Sequence, residues 1–496
     1  MCRGVTSDNW KVACNRDSGG KGGKGLCASN GLGTVPGIFS RRPDADVFPR
    51  YTQMPKWIQE LRPTLALAFP IMLGHVTQML MGVVDSVMIG HVGTVELAAA
   101  SFTGAVFGVV FLGCIGLLQP GSVLVAREHG AGRDDLAGMW LRHARAVAWG
   151  AGSVFAALLG ATLLVADRLG QPAEVVAIMG PYFALIALSL VPTLLFQADR
   201  QLAEALGRPW LPLLILIGCV ALNAALNWVF IGGELGAPEL GLTGAGVATL
   251  ISRVVSVVAL RIWLRRSASF TTAVRAAGEA RLDARRMREM LGLGVPMGAA
   301  LFFEGGAFSA AAVMAGWLGT VELAAHQIAI TCAAMSFMVP LGFSIALGVR
   351  TGRAVGAGER WRVRPMALGA TLLTLATAGL STLAFVVAGD AVAAAFVEDD
   401  PAVVELAAKV LVIAAVFQLF DGLQVVFAGA LRGLSDVKVP LASAFLAYWV
   451  LALPLGWWFG VRGGGGLEGI WVALAGGLAA AALVLGWRLR VLTREA

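Results

Sequence analysis

Apolar runs of 18 or more residues recur along nearly the whole chain, separated by short polar breaks. A helix needs about 20 apolar residues to cross a bilayer. The pattern predicts spans near 64–90, 97–122, 139–166, 176–197, 210–232, 242–264, 292–315, 322–349, 366–389, 402–427, 440–460 and 467–488. These define an all-α integral membrane protein of twelve transmembrane helices.

The pattern repeats. The segment Gly90-His-Val-Gly-Thr-Val-Glu-Leu-Ala-Ala99 returns 226 residues later as Gly316-Trp-Leu-Gly-Thr-Val-Glu-Leu-Ala-Ala325, and the same offset carries Arg127, Gly130 and Gly132 onto Arg353, Gly356 and Gly358. A near-matching offset of 225 pairs Leu242, Gly244 and Ala248 with Leu467, Gly469 and Ala473. An offset spanning an even number of helices makes both copies enter the membrane in the same direction, so two six-helix lobes related by a pseudo-two-fold axis along the membrane normal are expected. The boundaries are 54–264 and 289–496, joined by an Arg-rich linker over 265–288. Two lobes with a cleft between them suit a secondary transporter; a channel fits less well, because no ring-forming filter motif is visible.

Composition sharpens this. Of 496 residues, 57% are hydrophobic and 14% charged, which excludes a water-soluble single-domain enzyme of this size. The 63 glycines suit close helix approach in lipid. A net charge of +7 does not indicate nucleic acid, because the basic residues lie between apolar spans. With twelve spans, Arg127, Arg133, Arg142, Arg145, Arg200, Arg208, Arg353, Arg432 and the whole linker group fall on one side, and only Arg168 and Arg462 on the other. The positive-inside rule then puts both termini in the cytoplasm, within a multi-pass inner membrane protein. Six cysteines show neither metal-ligand spacing nor a disulfide framework.

Residues 1–53 break the pattern. They are Gly-, Ser- and charge-rich and contain no apolar core of signal-peptide length, and the chain's 32 arginines against six lysines suit a GC-rich coding sequence with open upstream frames. The segment is read as a non-native or disordered extension ahead of Met54. Removing it is expected to leave membrane insertion and transport unchanged; a truncated protein that inserts but does not transport would refute this.

Ionisable residues at membrane depth cost about 2.5–3.5 kcal/mol on insertion scales, so each is a functional candidate. Asp85 lies in the first span, with Gln78 seven residues earlier on the same face; Glu304 lies in the seventh; Asp421 lies in the tenth, flanked by Gln418 and Gln424 at a spacing of three. The 226-residue offset carries none of these acids onto another. Asn223 and Asn227 share one face of the fifth span and suit either cation ligation or interhelical bonding. Arg253 and Lys409 are expected to snorkel or to pair with a carboxylate, and His326 to pack. No nucleophile–base or metal-ligand constellation at depth suggests an enzyme.

Several of these residues fall in motifs with a family resemblance. Val84-Asp85-Ser-Val-Met-Ile-Gly90, Leu222-Asn223 through Asn227-Trp228-Val229-Phe230, Gly236-Ala-Pro-Glu-Leu240 and Leu431-Arg-Gly433 resemble the multidrug and toxic compound extrusion (MATE) family over about residues 54–490. The NorM-like branch is the nearer match. The resemblance implies export of small cationic or aromatic drugs and dyes by alternating access in exchange for protons or sodium ions, by a monomer in contact with membrane lipid, with no further cofactor. It assigns coupling roles to Asp85, Asn223, Asn227 and Thr249 in the first lobe and to Glu304 and Asp421 in the second. Gln78, Gln418 and Gln424 are auxiliary candidates from their helical spacing to Asp85 and Asp421, and no firm metal site is expected beyond a sodium position at Asp85, Asn223 and Asn227. Sodium-coupled relatives carry a tyrosine four residues before the tenth-helix aspartate, where this chain has Phe417. Protons are therefore the favoured coupling ion, since a buried carboxylate can carry one without a cage of oxygens. The alternative in the same superfamily is a lipid-linked oligosaccharide flippase, whose cleft should be lined with Arg or Lys rather than acids.

Overall fold

In a computed structural model, residues 55–164, 172–397 and 400–494 are described; the reading of residues 1–53 falls outside them. Among these described residues, twelve helices are long and apolar enough to span a membrane: α1 (Lys56–Gly90), α2 (Thr94–Gly130), α3 (Asp134–Thr162), α4 (Ala173–Ala205), α5 (Trp210–Gly232), α6 (Gly241–Arg266), α7 (Ala284–Leu318), α8 (Thr320–Gly356), α9 (Arg360–Ala394), α10 (Pro401–Gly433), α11 (Lys438–Arg462) and α12 (Gly466–Leu492). Each contains one predicted span or nearly all of it, and no strand occurs among the described residues. Side chains such as Leu383, Val387 and Leu483, 60–75% exposed, would be a liability in water and suit contact with lipid tails.

Three details differ from the hydropathy reading. The stretch before residue 64 is helical and continuous with α1, despite Pro63 and Pro70. The linker is not open chain: a short helix, Thr271–Glu279, buries Ala273 and Ala277, and α7 already begins at Ala284, capped by the Asp283 side chain accepting from the Arg285 amide. In α11 the backbone widens into π-helical turns over Phe445–Ala452 and Trp457–Arg462, a departure that shifts which side chains face inward.

The repeated segments have a common physical role. Gly93 and Gly319 each precede a helix whose first turn carries an acid, Glu96 or Glu322, where negative charge complements the helix dipole. At the opposite, Arg-rich ends, Gly130 lies against the Arg353 carbonyl and Gly356 against the Arg127 carbonyl, so close that a Cβ at either would collide with backbone. The repeated Arg-x-x-Gly thus packs against its own copy across the pseudo-axis. Gly132 and Gly358 then turn the chain with φ of +73° and +76°, a left-handed conformation that favours glycine.

Buried apolar side chains divide in a way that defines the cleft. One large core takes residues from both lobes, among them Ile71, Leu118 and Leu194 with Phe343, Leu347 and Val426, all toward the Arg-rich ends of their helices. Toward the other ends the core splits: Ala307, Phe417, Tyr448 and Trp471 belong to the second lobe alone, and Ile89, Met179, Tyr182 and Leu242 to the first alone. The lobes are fused at the Arg-rich end and part toward the other.

Candidate functional site

The parting lobes enclose a cavity of about 560 Å³. Phe111 on α2, Phe308 on α7, Phe337 on α8 and Phe417 on α10 supply aromatic wall, and Glu304 on α7 and Asp421 on α10 supply charge. Both acids interact electrostatically with one another, yet neither has a hydrogen bond or ion pair among the described residues, and Asp421 Oδ1 is buried without a partner. Open aromatic wall and unpartnered carboxylate together suit an organic cation.

Basic residues also reach this cavity, which the positive-inside reading did not foresee. Arg200 and Arg432, assigned to loops from the sequence, lie inside α4 and α10 and line the cavity at its closed end. Arg200 bonds Glu204 through Nε at 2.5 Å, with both side chains 4% exposed. Arg432 donates to Gln119 Oε1 of α2 at 3.0 Å and to Ser344 Oγ of α8 at 2.6 Å. The first of these bonds crosses between the lobes. The cavity thus holds three carboxylates, Glu204, Glu304 and Asp421, against two guanidiniums.

A second polar cluster lies within the first lobe. Asn227 on α5 donates through Nδ2 to Asp85 Oδ1 at 2.6 Å, Thr249 on α6 donates to Asp85 Oδ2 at 3.3 Å, and Asn223 Nδ2 reaches Thr249 Oγ1 at 3.4 Å. Asn223, Asn227 and Thr249 are each at most 1% exposed. Asn223 and Asn227 fall one helical turn apart on the α5 face that meets α1 and α6, as their spacing predicts. Arg253 does not pair directly with a carboxylate: it donates to Ser189 Oγ at 2.5 Å, its guanidinium lies 4.9 Å from the Phe107 ring centroid, and it acts on Asp85 electrostatically from within the lobe. The set of oxygens, one carboxylate, two amides and a hydroxyl with Asn227 Oδ1 buried and unpartnered, is of the kind a hard cation takes.

The auxiliary residues separate. Gln78 lines the central cavity and not the Asp85 cluster, despite sharing its helix. Gln418 accepts from Ser336 Oγ at 2.6 Å and lines a smaller recess of about 270 Å³ between α8, α9 and α10, which Asp421 also borders. Gln424 is buried and lines neither space, its Oε1 without a partner. His326 packs 5.7 Å from Trp471, centroid to centroid, and Lys409 pairs with the exposed Glu405 at 2.7 Å.

Tyr448 was not singled out from the sequence. Its ring sits 5.8 Å from Phe308, its hydroxyl is buried without a partner, and it interacts electrostatically with Glu304 and Asp421. A hydroxyl therefore stands near the second-lobe acids although Phe417 carries none. One signal was available: the chain has three tyrosines, and the two at membrane depth, Tyr182 and Tyr448, each stand near a membrane carboxylate.

Known proteins share this architecture. The MatE family profile matches twice, over residues 70–229 and 296–458, once in each lobe. The probable multidrug resistance protein NorM of Xylella fastidiosa is 34% identical over 436 residues, covering 88% of this chain and 93% of the relative. The multidrug resistance protein NorM of Burkholderia vietnamiensis is 35% identical over 438 residues, covering 87% and 94%. Among solved structures, the Vibrio cholerae MATE transporter VcmN in its bent form superposes with a TM-score of 0.79 at 20% identity over 89% of this chain and 98% of that one. The eukaryotic MATE transporter AtDTX14 does so with 0.79 at 17% over 89% and 99%. With twelve helices, a family match in each lobe and relatives aligned over most of their length, the chain belongs to the MatE family, the multidrug and toxic compound extrusion proteins.

Proposed function

We propose that this protein is a multidrug efflux antiporter that exports organic cations by alternating access, driven by an inward flow of protons or sodium. The observation that carries the reading is the cavity between the lobes, where Glu304 and Asp421 stand without hydrogen-bond partners among aromatic side chains. A carboxylate there holds either the coupling ion or the cationic substrate, so each displaces the other; that competition is what couples the two flows. The names of the relatives, multidrug resistance proteins, support the same substrate class.

The two lobes are taken as 54–264 and 289–496, joined by the linker 265–288, with the Arg-rich end in the cytoplasm. On that orientation the fused core seals the cytoplasmic side and the cleft opens outward, the state that releases a drug and loads the coupling ion. A cysteine introduced in the linker is expected to react with a membrane-impermeant reagent only in inverted vesicles; labelling from outside intact cells would overturn the orientation.

A lipid-linked oligosaccharide flippase gains something from Arg200 and Arg432, which the acid-rich reading of the cleft had not counted. Arg200 is paired with Glu204 and Arg432 interacts electrostatically with Glu304, however, and with Asp421 the carboxylates outnumber the guanidiniums in an aromatic-walled cavity, which favours a cation. Expression in a drug-sensitive, efflux-deficient host tests the choice. Energy-dependent loss of a cationic dye is expected, with no change in lipid-linked intermediates; altered intermediates without dye efflux would favour the flippase.

A further inference from the structure

A second large cavity, about 550 Å³, lies apart from the cleft at the Arg-rich end of the first lobe. Its walls are α3, the last turns of α6 and the linker helix Thr271–Glu279, and five arginines line it: Arg142, Arg145, Arg261, Arg265 and Arg275. Behind them Asp199 is fully buried and accepts from Arg145 Nε at 2.6 Å and Arg261 Nε at 2.9 Å. Those bonds are made through Nε and orient both guanidiniums, whose terminal nitrogens have no further hydrogen bond among the described residues. Arg275 pairs with Glu279 at 2.8 Å, whereas Arg142 and Arg265 have no ion pair or hydrogen bond among the described residues. Five positive charges around one cavity, offset by two acids, repel one another, and an anion would relieve that repulsion.

The surroundings say which anion. Arg265 is in the last turn of a membrane-spanning helix, level with lipid head groups, and Trp149, also lining the cavity, is 56% exposed. Trp149 lies seven residues further into α3 than Arg142, roughly 10 Å deeper, where exposed tryptophan sits at the membrane interface. Leu282, 53% exposed, adds apolar surface on the linker side. The linker helix is held down on α3 by buried Ala273 and Ala277, and Gly138 lets the Ala273 carbonyl approach α3 closely. Basic pockets of this kind between helix ends take lipid head groups. We propose that this pocket binds the phosphate head group of an anionic phospholipid, with an acyl chain running past Trp149. The chemistry shared with a free phosphate ion is the arginine–phosphate contact; the exposed tryptophan at the membrane boundary favours the lipid.

The full chain, reconstituted in nanodiscs of phosphatidylcholine doped with phosphatidylglycerol and released for intact-mass spectrometry, is expected to retain phosphatidylglycerol in preference to phosphatidylcholine. Arg142→Gln with Arg265→Gln should weaken that retention roughly 25-fold, about fivefold per arginine at an anionic surface. Both side chains are exposed, so the variant should fold. A control pair, Arg360→Gln with Arg364→Gln, removes the same charge from exposed positions outside the pocket and should retain the lipid as the parent does. Equal loss in the control, or no preference in the parent, would overturn the proposal. Loss of the bound lipid on adding millimolar inorganic phosphate at constant ionic strength would assign the pocket to free phosphate and also overturn it.

Discussion

Asp421→Asn and Glu304→Gln should each reduce gradient-driven efflux to background while the protein still folds and inserts. The amides keep the size and hydrogen bonding of the acids but cannot hold charge. At 4 Å and an effective dielectric constant of 20, a carboxylate attracts a monovalent cation by ~4 kcal/mol before desolvation, about a thousandfold in affinity. Neither acid has a hydrogen bond among the described residues that its loss would leave broken, so little stability should be lost. Dye binding to the purified variants and counterflow in proteoliposomes check the two halves of the claim. An isosteric variant with full gradient-driven transport would remove that residue from the mechanism.

Glu60→Ala should shift the protein away from the conformation in which the lobes meet at the Arg-rich end, by on the order of a hundredfold. Glu60 on α1 accepts from Arg350 on α8 and from Arg362 at the start of α9, joining the lobes at the fused end; the Glu60 and Arg350 side chains are 10% and 11% exposed. Removing one partner of a nearly buried pair costs about 3–5 kcal/mol. Arg362 is 36% exposed and relaxes into water, which trims the loss. The cost falls only on the conformation in which the lobes meet at that end, so the opposite conformation gains population. Spin-label distances across the Arg-rich ends of α1 and α8 should lengthen; an unchanged distribution would mean that this ion pair does not hold the gate.

The legible parts of the molecule are those that hydropathy and short spacing control. Twelve spans and the two-fold repeat follow from apolar runs and from the Gly-Thr-Val-Glu and Arg-x-x-Gly copies, because helix starts and close crossings leave local marks. The Asp85, Asn223, Asn227 and Thr249 cluster follows from an i,i+4 pair and a family resemblance, and the four meet within hydrogen-bonding distance. Arg200 and Arg432 were not legible as cavity residues, because a basic residue near a helix end looks the same whether it faces the cytoplasm or reaches back to Glu204 or Gln119. The spacing of Gln418, Asp421 and Gln424 predicts one shared face; Gln418 and Asp421 do border the same recess between α8, α9 and α10, but Asp421 also lines the central cavity and Gln424 lines neither space. Tyr448 lies hidden in an apolar run, on turns whose π-helical geometry departs from the 3.6-residue period of an α-helix.

The coupling ion bears most directly on the account. Protons suit the second-lobe acids, where Phe417 supplies no oxygen; sodium would suit the oxygen-rich cluster around Asp85. The deciding measurement is transport of a cationic dye by the purified protein in proteoliposomes, with pH and sodium gradients imposed separately. The account predicts that a pH gradient alone drives dye movement and that Glu304→Gln with Asp421→Asn abolishes it. Dye movement driven by a sodium gradient without a pH difference, and not by a pH gradient, would contradict proton coupling and move the coupling site to Asp85, Asn223, Asn227 and Thr249.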